Sequence, residues 1–113
     1  MDDCLFCKIA GKDLDAEIVH ESESVVAFRD INPAAPTHVL VVPRRHVGSA
    51  AELGTSDGDL LGEMFEVMTD VARSAGIEGG FRIVTNIGED AGQSVHHLHF
   101  HVLGGRPMGW PPG

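Results

Sequence analysis

The densest set of chemically capable residues is a run of histidines near the C-terminus. His97, His99 and His101 alternate with apolar residues in the segment His-Leu-His-Phe-His-Val. Side chains alternate faces along a β-strand, so the three imidazoles would project from one exposed face while the apolar residues enter the core. Same-face positions are about 6.6 Å apart, too wide for all three rings to reach one metal ion. The spacing favours a nucleophile flanked by helper groups, with a solvated polar face as the alternative.

A short polar loop lies just before these histidines. Gly92, Gln93 and Ser94 combine flexible backbone, N–H donors and a hydroxyl group. Backbone N–H groups in such loops can hold a phosphate without a cationic side chain. The loop indicates a small anion site beside the histidines, with an ordinary turn as the alternative.

Cys4 and Cys7 form a Cys-x-x-Cys motif near the start of the chain. Three interpretations are open: a redox pair, two idle thiols, or half of a zinc site. A redox pair is expected in a βαβ context, whereas this motif opens a helical turn. We favour zinc, because two histidines could complete a tetrahedral Cys₂His₂ site.

Charge and hydropathy exclude several classes of function. The 113 residues carry 17 Asp and Glu against 8 Lys and Arg, a net charge of −9. Such a surface repels the phosphate backbone, so we expect no nucleic acid polymer as a partner. No apolar run approaches the roughly 20 residues of a membrane span. Asp2 and Asp3 replace the basic start of a secretion signal, and we expect a cytoplasmic protein without a membrane partner.

Apolar patterning predicts the elements in the first half of the chain. A short helix over 5–9 would end at Gly11 in the left-handed conformation. Two β-branched runs, 16–21 and 25–30, suit a hairpin. The apolar run 38–43 suits a central strand covered on both faces.

The second half adds a long helix and two strands. Apolar spacing predicts a helix from 55 or 56 to 75, with Ser56 and Asp59 as an imperfect capping box. Strands are expected at 81–87 and 97–103. The order predicts an α+β fold, with a five-stranded, mainly antiparallel sheet, one long helix and one short helix, in a single domain over 4–113.

The histidine segment also resembles a known family. Residues 93–103, Gln-Ser-Val-His-His-Leu-His-Phe-His-Val-Leu, resemble the signature of the histidine triad (HIT) nucleotide-binding family. The tail 104–113 is similar to that of the family's Hint branch. The likeness continues through 27–33, 35–38 and 42–46, and it covers nearly the whole chain from Cys4.

The resemblance implies a HIT-like homodimer, with sheets joined across the interface and a site for purine nucleotides. Asp30 and Ile31 would meet the ribose and base region. The purine would be walled by Phe6, Ile9, Phe28 and Leu40. The α-phosphate would be surrounded by Asn86, Gly92, Gln93, Ser94, His99 and His101.

The resemblance further implies a hydrolase acting on AMP or GMP conjugates such as phosphoramidates. His99 would attack phosphorus, Ser94 and His101 would donate hydrogen bonds, and no catalytic cofactor would be needed. A third triad histidine, where the transferase branch has glutamine, favours hydrolysis. The alternative is a nucleotide-binding interaction module with vestigial hydrolysis. We expect His38 to orient His99, with a core or surface role as its alternative.

Some bacterial members of the family carry zinc ligands at the positions of Cys4, Cys7, His46 and His97. By this likeness the zinc would be structural, and His97 is assigned to the metal instead of to proton transfer. Of the remaining residues, we expect His20 to be exposed on an edge strand. Trp110 is either a packing anchor or part of the partner subunit's site.

Overall fold

The computed structural model describes residues 4–113, and its centre is one antiparallel sheet. The strands are β1 (Ile18–Glu21), β2 (Val25–Arg29), β3 (Thr37–Pro43), β4 (Phe81–Val84) and β5 (Phe100–Gly104), and the helices are α1 (Leu5–Ala10) and α2 (Gly58–Ser74). The sheet order is β1-β2-β3-β5-β4, with every neighbouring pair antiparallel. The predicted α+β fold with one long and one short helix is confirmed. Asp2 and Asp3 lie outside the described residues.

The central strand β3 is covered on both faces, as its apolar run predicts. All seven of its residues are buried. Val39 and Val41 pack with Met64 and Met68 of α2, whereas strand residues on the opposite face pack with Phe6 and Ile9 of α1. Each helix therefore covers one face of the sheet, and the small helix lies on the face opposite α2.

The start of α2 differs from the prediction. A 3₁₀ turn, Thr55–Asp57, precedes the helix. The Asp57 carboxylate accepts a hydrogen bond from the Gly54 N–H at 2.9 Å. The predicted pairing of Ser56 with Asp59 was wrong, because the first turn is 3₁₀ and shifts the cap toward the N-terminus. Gly76 follows the helix end with φ of 75°, in the left-handed conformation typical of that position.

The left-handed residue after α1 is not the predicted one. Gly11 has φ of −84°, in the right-handed region, and Lys12 carries φ of 65°. The Lys12 N–H donates to the Ile9 carbonyl and the Asp13 N–H donates to the Lys8 carbonyl. These two bonds close the helix end one residue later than glycine placement suggests.

Only the part of the histidine segment from Phe100 onward belongs to the sheet. β5 begins at Phe100, so the strand predicted over 97–103 starts three residues late and leaves His97 and His99 outside it. The Leu98 N–H donates to the Val47 carbonyl at 2.6 Å. The backbone before Phe100 is therefore hydrogen-bonded to the loop after β3 and not to a neighbouring strand.

The chain has no helix, over residues 4–113, with the length and apolar character needed to cross a bilayer.

Candidate active site and metal centre

A cleft of about 390 Å³ opens between α1, the end of β2 and the histidine segment. Nine of the predicted nucleotide-binding residues line it: Phe6, Ile9, Phe28, Asp30, Ile31, Leu40, Ser94, His99 and His101. Its volume suits a small-molecule ligand. The apolar side chains that the resemblance assigns to the purine and the histidines assigned to the phosphate thus share one cavity.

Three predicted phosphate-site residues, Asn86, Gly92 and Gln93, are not among the described residues that line this cleft. The Gln93 amide is occupied within the chain, because its Nε2 donates to the carbonyls of Gly48 and Val95 and its Oε1 accepts from the Gly88 N–H. Gly92 has φ of 90°. Gln93 and Gly92 therefore shape the loop that presents Ser94.

The cleft also contains residues that the sequence analysis did not identify. They are Leu5, Leu14, Asp15, Ala16, Arg29, Asn32 and Val95. Leu14 and Leu5 are 41% and 44% exposed and stand at the cleft wall. The sequence signal that could have identified them is a leucine at the start of the predicted short helix that carries Phe6 and Ile9, and another shortly after its end.

His99 is held in one tautomer by the backbone. Its Nδ1 lies 2.7 Å from the His97 carbonyl oxygen. A carbonyl can only accept a hydrogen bond, so Nδ1 carries the proton and Nε2 of the neutral ring keeps its lone pair. The ring is 6% exposed and meets Phe6 edge to face at 4.9 Å. The geometry leaves His99 a free, oriented nitrogen of the kind that a nucleophile needs.

His38 orients His101, and the expectation that it orients His99 was wrong. The Ala34 N–H donates to His38 Nδ1 at 3.0 Å, so the neutral ring of His38 carries its proton on Nε2. That Nε2 lies 2.9 Å from His101 Nδ1, which must accept. The His101 proton is consequently on Nε2, and the ring becomes a hydrogen-bond donor in the cleft. His99 takes no part in these hydrogen bonds, because its Nδ1–H already donates to the His97 carbonyl.

Burial keeps His38 and His101 neutral. Burial, and then the neighbouring His99 and His38 rings, lower the pKa of His101 from 6.5 to about 4. Burial also lowers the pKa of His38, while the Asp30 carboxylate 3.5 Å from its Nε2 opposes that shift. At neutral pH the His101 ring is therefore uncharged, and its Nε2–H is available to a ligand as a donor.

The three triad rings do share one side of the chain, but only His101 is partly exposed. His97 is fully buried and His99 nearly so, because α1 covers them. Leu98, Phe100 and Val102 enter the core on the α2 side, as alternation predicts. The expectation of an exposed histidine face was wrong because the sequence does not show that a six-residue helix lies across it.

The four predicted zinc ligands lie together. Sγ of Cys4, Sγ of Cys7, Nδ1 of His46 and Nδ1 of His97 are all within 4.8 Å of one another. His97 Nδ1 is 3.2 Å from the Cys4 sulfur and 3.4 Å from the Cys7 sulfur, and His46 Nδ1 is 3.4 Å from the Cys7 sulfur. Ligand bonds of about 2.1–2.3 Å in a tetrahedron require ligand atoms about 3.4–3.8 Å apart. The donor set and its spacing fit zinc.

The orientation of His97 agrees with this fit. His97 Nε2 donates to the Pro43 carbonyl at 2.8 Å, which leaves Nδ1 unprotonated and aimed at the sulfurs. Burial, and then the adjacent Cys4 thiol, raise the pKa of the Cys7 thiol to about 11. Bound zinc would reverse that shift, because a coordinated thiol loses its proton.

Asp30, His38 and His101 form a second group with ligand atoms within 4.8 Å of one another. Their hydrogen bonds already use these atoms. His38 Nε2 carries the proton that it shares with His101, so it has no lone pair to offer a metal unless Ala34 gives up its bond. The group is better described as a proton-positioning network.

Two other residues singled out in the sequence, His20 and Trp110, lie outside both sites. His20 lies on the edge strand β1, as expected, but it is only partly exposed because it lies beside α2. Its Nε2 is buried and has no hydrogen-bond partner among residues 4–113. Trp110 is 82% exposed, so it is not a packing anchor within the described chain.

The chain matches a family model, curated relatives and solved structures. Residues 3–109 match the family described as "Scavenger mRNA decapping enzyme C-term binding". The chain is 43% identical over 104 residues to Protein HitA of Neisseria gonorrhoeae, spanning 92% of this chain and 97% of that protein. It is 45% identical over 111 residues to the 14 kDa zinc-binding protein of Zea mays, spanning 96% and 87%. A HIT family hydrolase from Legionella pneumophila Philadelphia 1 has 42% identity and a TM-score of 0.96, spanning 98% of this chain and 100% of that one.

Proposed function

Because the chain belongs to the histidine triad (HIT) family, we propose that it is a nucleotide-binding hydrolase that cleaves purine nucleoside 5′-phosphoramidates. Hydrolase is the broad activity named for its relatives of known structure. The substrate class is our proposal: AMP or GMP joined at the α-phosphate to an amine or acyl group, in the cytoplasm.

The tautomer of His99 is the observation that supports this proposal most. The His97 carbonyl fixes the proton on Nδ1, and the other nitrogen belongs to a ring that lines the cleft. In the first step Nε2 attacks phosphorus, the bond from phosphorus to the leaving nitrogen breaks, and the amine takes a proton from solvent. In the second step water attacks phosphorus, the bond to Nε2 breaks, and the water proton passes to solvent. One difficult displacement becomes two easier ones.

The donors around the phosphate are uncharged. The hydroxyl of Ser94 and the Nε2–H of His101 both belong to residues that line the cleft. His101 is held in its donor tautomer by His38. Fixed donors in a partly dry site stabilise developing negative charge without reorganising, so this chemistry works in a chain with a net charge of −9.

Turnover of adenosine 5′-phosphoramidate by the purified protein tests the reaction. We expect release of AMP by the wild type. His99→Asn should remove it while nucleotide binding persists, because a polar group of similar size replaces the nucleophile. His20→Asn is the matched control, since that histidine lies outside the cleft. Wild-type protein that binds AMP but releases none from the phosphoramidate would instead support a nucleotide-binding module.

We also propose one structural zinc per chain, held by Cys4, Cys7, His46 and His97. The ligand spacing and the His97 bond to Pro43 support it. Zinc would cross-link α1 to the sheet and would keep both thiols deprotonated. Elemental analysis should find about one zinc per chain in the wild type and none in Cys7→Ser. Wild-type protein that takes up no zinc would contradict the proposal.

A further inference from the structure

The cysteine-histidine cluster and the nucleotide cleft share two structural elements. Cys4 and Cys7 flank Phe6 on α1, and Phe6 and Ile9 line the cleft. On the other side, His97 belongs to the cluster and lies two residues before His99. The two sites are therefore neighbours, and each is built from the same short helix and the same loop.

Contacts connect the cluster to His99 in two steps. The Cys4 and Cys7 sulfurs lie 3.2 and 3.4 Å from His97 Nδ1. The carbonyl of His97 accepts the Nδ1–H of His99 at 2.7 Å. The Phe6 ring meets both imidazoles edge to face, at 4.9 Å from His99 and 6.1 Å from His97. The Phe6 ring therefore joins the cluster to the aromatic wall of the cleft.

The helix α1 depends on contacts with the rest of the chain for its stability. A helix of six residues is far too short to be stable alone in water. Its C-terminal end is tied to the sheet by the Arg44 guanidinium, which donates to the Ala10 carbonyl. Its N-terminal end is held by Cys4, whose sulfur caps the helix by accepting the Cys7 N–H at 3.3 Å and also contacts His97. Neutral thiols make only weak hydrogen bonds, so this end needs a stronger tie than its thiols supply.

We propose that Cys4, Cys7 and His97 are positioning residues for the nucleotide site, so that zinc in their cluster sets nucleotide affinity as well as stability. The proposal rests on the proposed function for its nucleotide. Bound zinc fixes the Phe6 and Ile9 wall against the base. Without zinc the N-terminal turn of α1 opens, and the cleft loses one wall while β3 and β5 remain folded.

The proposal separates two kinetic effects. The wall contributed by α1 contacts the base in the ground state and the transition state alike, so its loss raises KM. The bond that orients His99 comes from a backbone carbonyl and survives in the segment packed against Val47. We therefore expect zinc removal to raise KM for adenosine 5′-phosphoramidate about tenfold, as for partial loss of a buried aromatic contact, with a smaller fall in kcat.

The test compares zinc-loaded protein with protein stripped by a chelator and with Cys4→Ser. Serine can still cap α1 but is a poor zinc ligand, so this variant separates the cap from the metal. The Lys8 and Gly11 N–H groups, which donate to the carbonyls of Cys4 and Cys7, report on the helix by hydrogen exchange. Amides of 39–42 in β3 report on global folding.

In the stripped protein and in Cys4→Ser we expect at least about tenfold faster exchange at Lys8 and Gly11, unchanged protection in β3, and about tenfold weaker binding of AMP. His20→Asn, loaded and stripped, should repeat the wild-type pair. AMP affinity that is the same with and without zinc overturns the proposal, whether or not α1 exchange changes. Loaded wild type that does not bind AMP contradicts the proposed function itself, whereas binding that is indifferent to zinc contradicts only this proposal.

Discussion

Backbone groups decide where the protons lie on the candidate catalytic histidines. The His97 carbonyl accepts a hydrogen bond from the Nδ1–H of His99, and the Ala34 N–H forces His38 to donate toward His101. The residue types and their alternation were predictable from the sequence. Their partners were not, because a carbonyl and an amide can come from any residue, and only the folded loop brings Ala34 to His38.

The first residue-scale prediction concerns His38. His38→Phe keeps an aromatic ring in the buried position but removes the donor to His101 Nδ1, so His101 loses its preferred tautomer. We expect kcat for adenosine 5′-phosphoramidate to fall roughly 10- to 100-fold, less than or comparable to loss of an oxyanion donor, with little change in AMP affinity. Steady-state kinetics and calorimetric titration measure the two. A kcat equal to that of the wild type would show that the bond from His38 to His101 is not used.

The second residue-scale prediction concerns the stability of the fold as the pH is lowered. His101 has its pKa lowered to about 4 from 6.5, so between these values the unfolded chain binds more protons than the folded one. The free energy of unfolding should therefore fall as the pH is lowered from about 6.5 toward 4. The lowered pKa of Glu21 and of Asp57 acts only below their ordinary values of 4.5 and 3.8.

The pKa values of His38 and His97 are also lowered by burial, so the contribution of His101 is measured by comparing the wild type with His101→Gln in urea unfolding between pH 7 and pH 5. The wild type should lose stability over that range, and His101→Gln should lose less. Equal slopes for the two proteins would refute the assignment of His101 as a neutral, buried ring.

At the scale of elements, patterning predicted every strand and both helices, and it failed where long-range contacts override it. The sequence of alternating histidines is a good strand pattern, yet β5 begins only at Phe100 because Leu98 bonds to Val47. The predicted cap of α2 is absent because a 3₁₀ turn precedes the helix, with the Asp57 carboxylate accepting from the Gly54 N–H. Neither Val47 nor the 3₁₀ turn has a local signature that competes with the strand and helix patterns.

The turn after β5 gives an element-scale prediction. Gly105 has φ of 94°, and a Cβ there would lie 2.8 Å from the Pro36 ring. Gly105→Ala therefore combines a strained backbone with a clash against a rigid neighbour, and we expect it to destabilise the fold by about 1–3 kcal/mol. Gly109→Ala is the control, because a Cβ at Gly109 meets no atom within 4 Å. Equal urea midpoints for the two variants would contradict this account of the turn.

At the scale of the whole molecule, we propose a single domain over 4–113 that functions as a homodimer. β4 is the edge of the sheet next to β5, and an unpaired edge invites pairing with a second chain. Trp110 and Phe65 are large apolar residues that remain 82% and 46% exposed. The resemblance predicted the dimer, and these exposed features support it.

The assembly is measurable directly. Sedimentation equilibrium at micromolar concentration should give about twice the chain mass of 12.0 kDa. A mass of one chain over that concentration range would rule out the dimer as the working form.

The central claim is that His99 forms a covalent bond to phosphorus. Wild-type protein mixed with adenosine 5′-phosphoramidate, quenched in alkaline denaturant and analysed by peptide mass spectrometry should carry one adenylyl group on the peptide that contains His99. His99→Asn should carry none, and His38→Phe should accumulate less. An adduct on another residue, or AMP released by His99→Asn at the wild-type rate, would contradict the account.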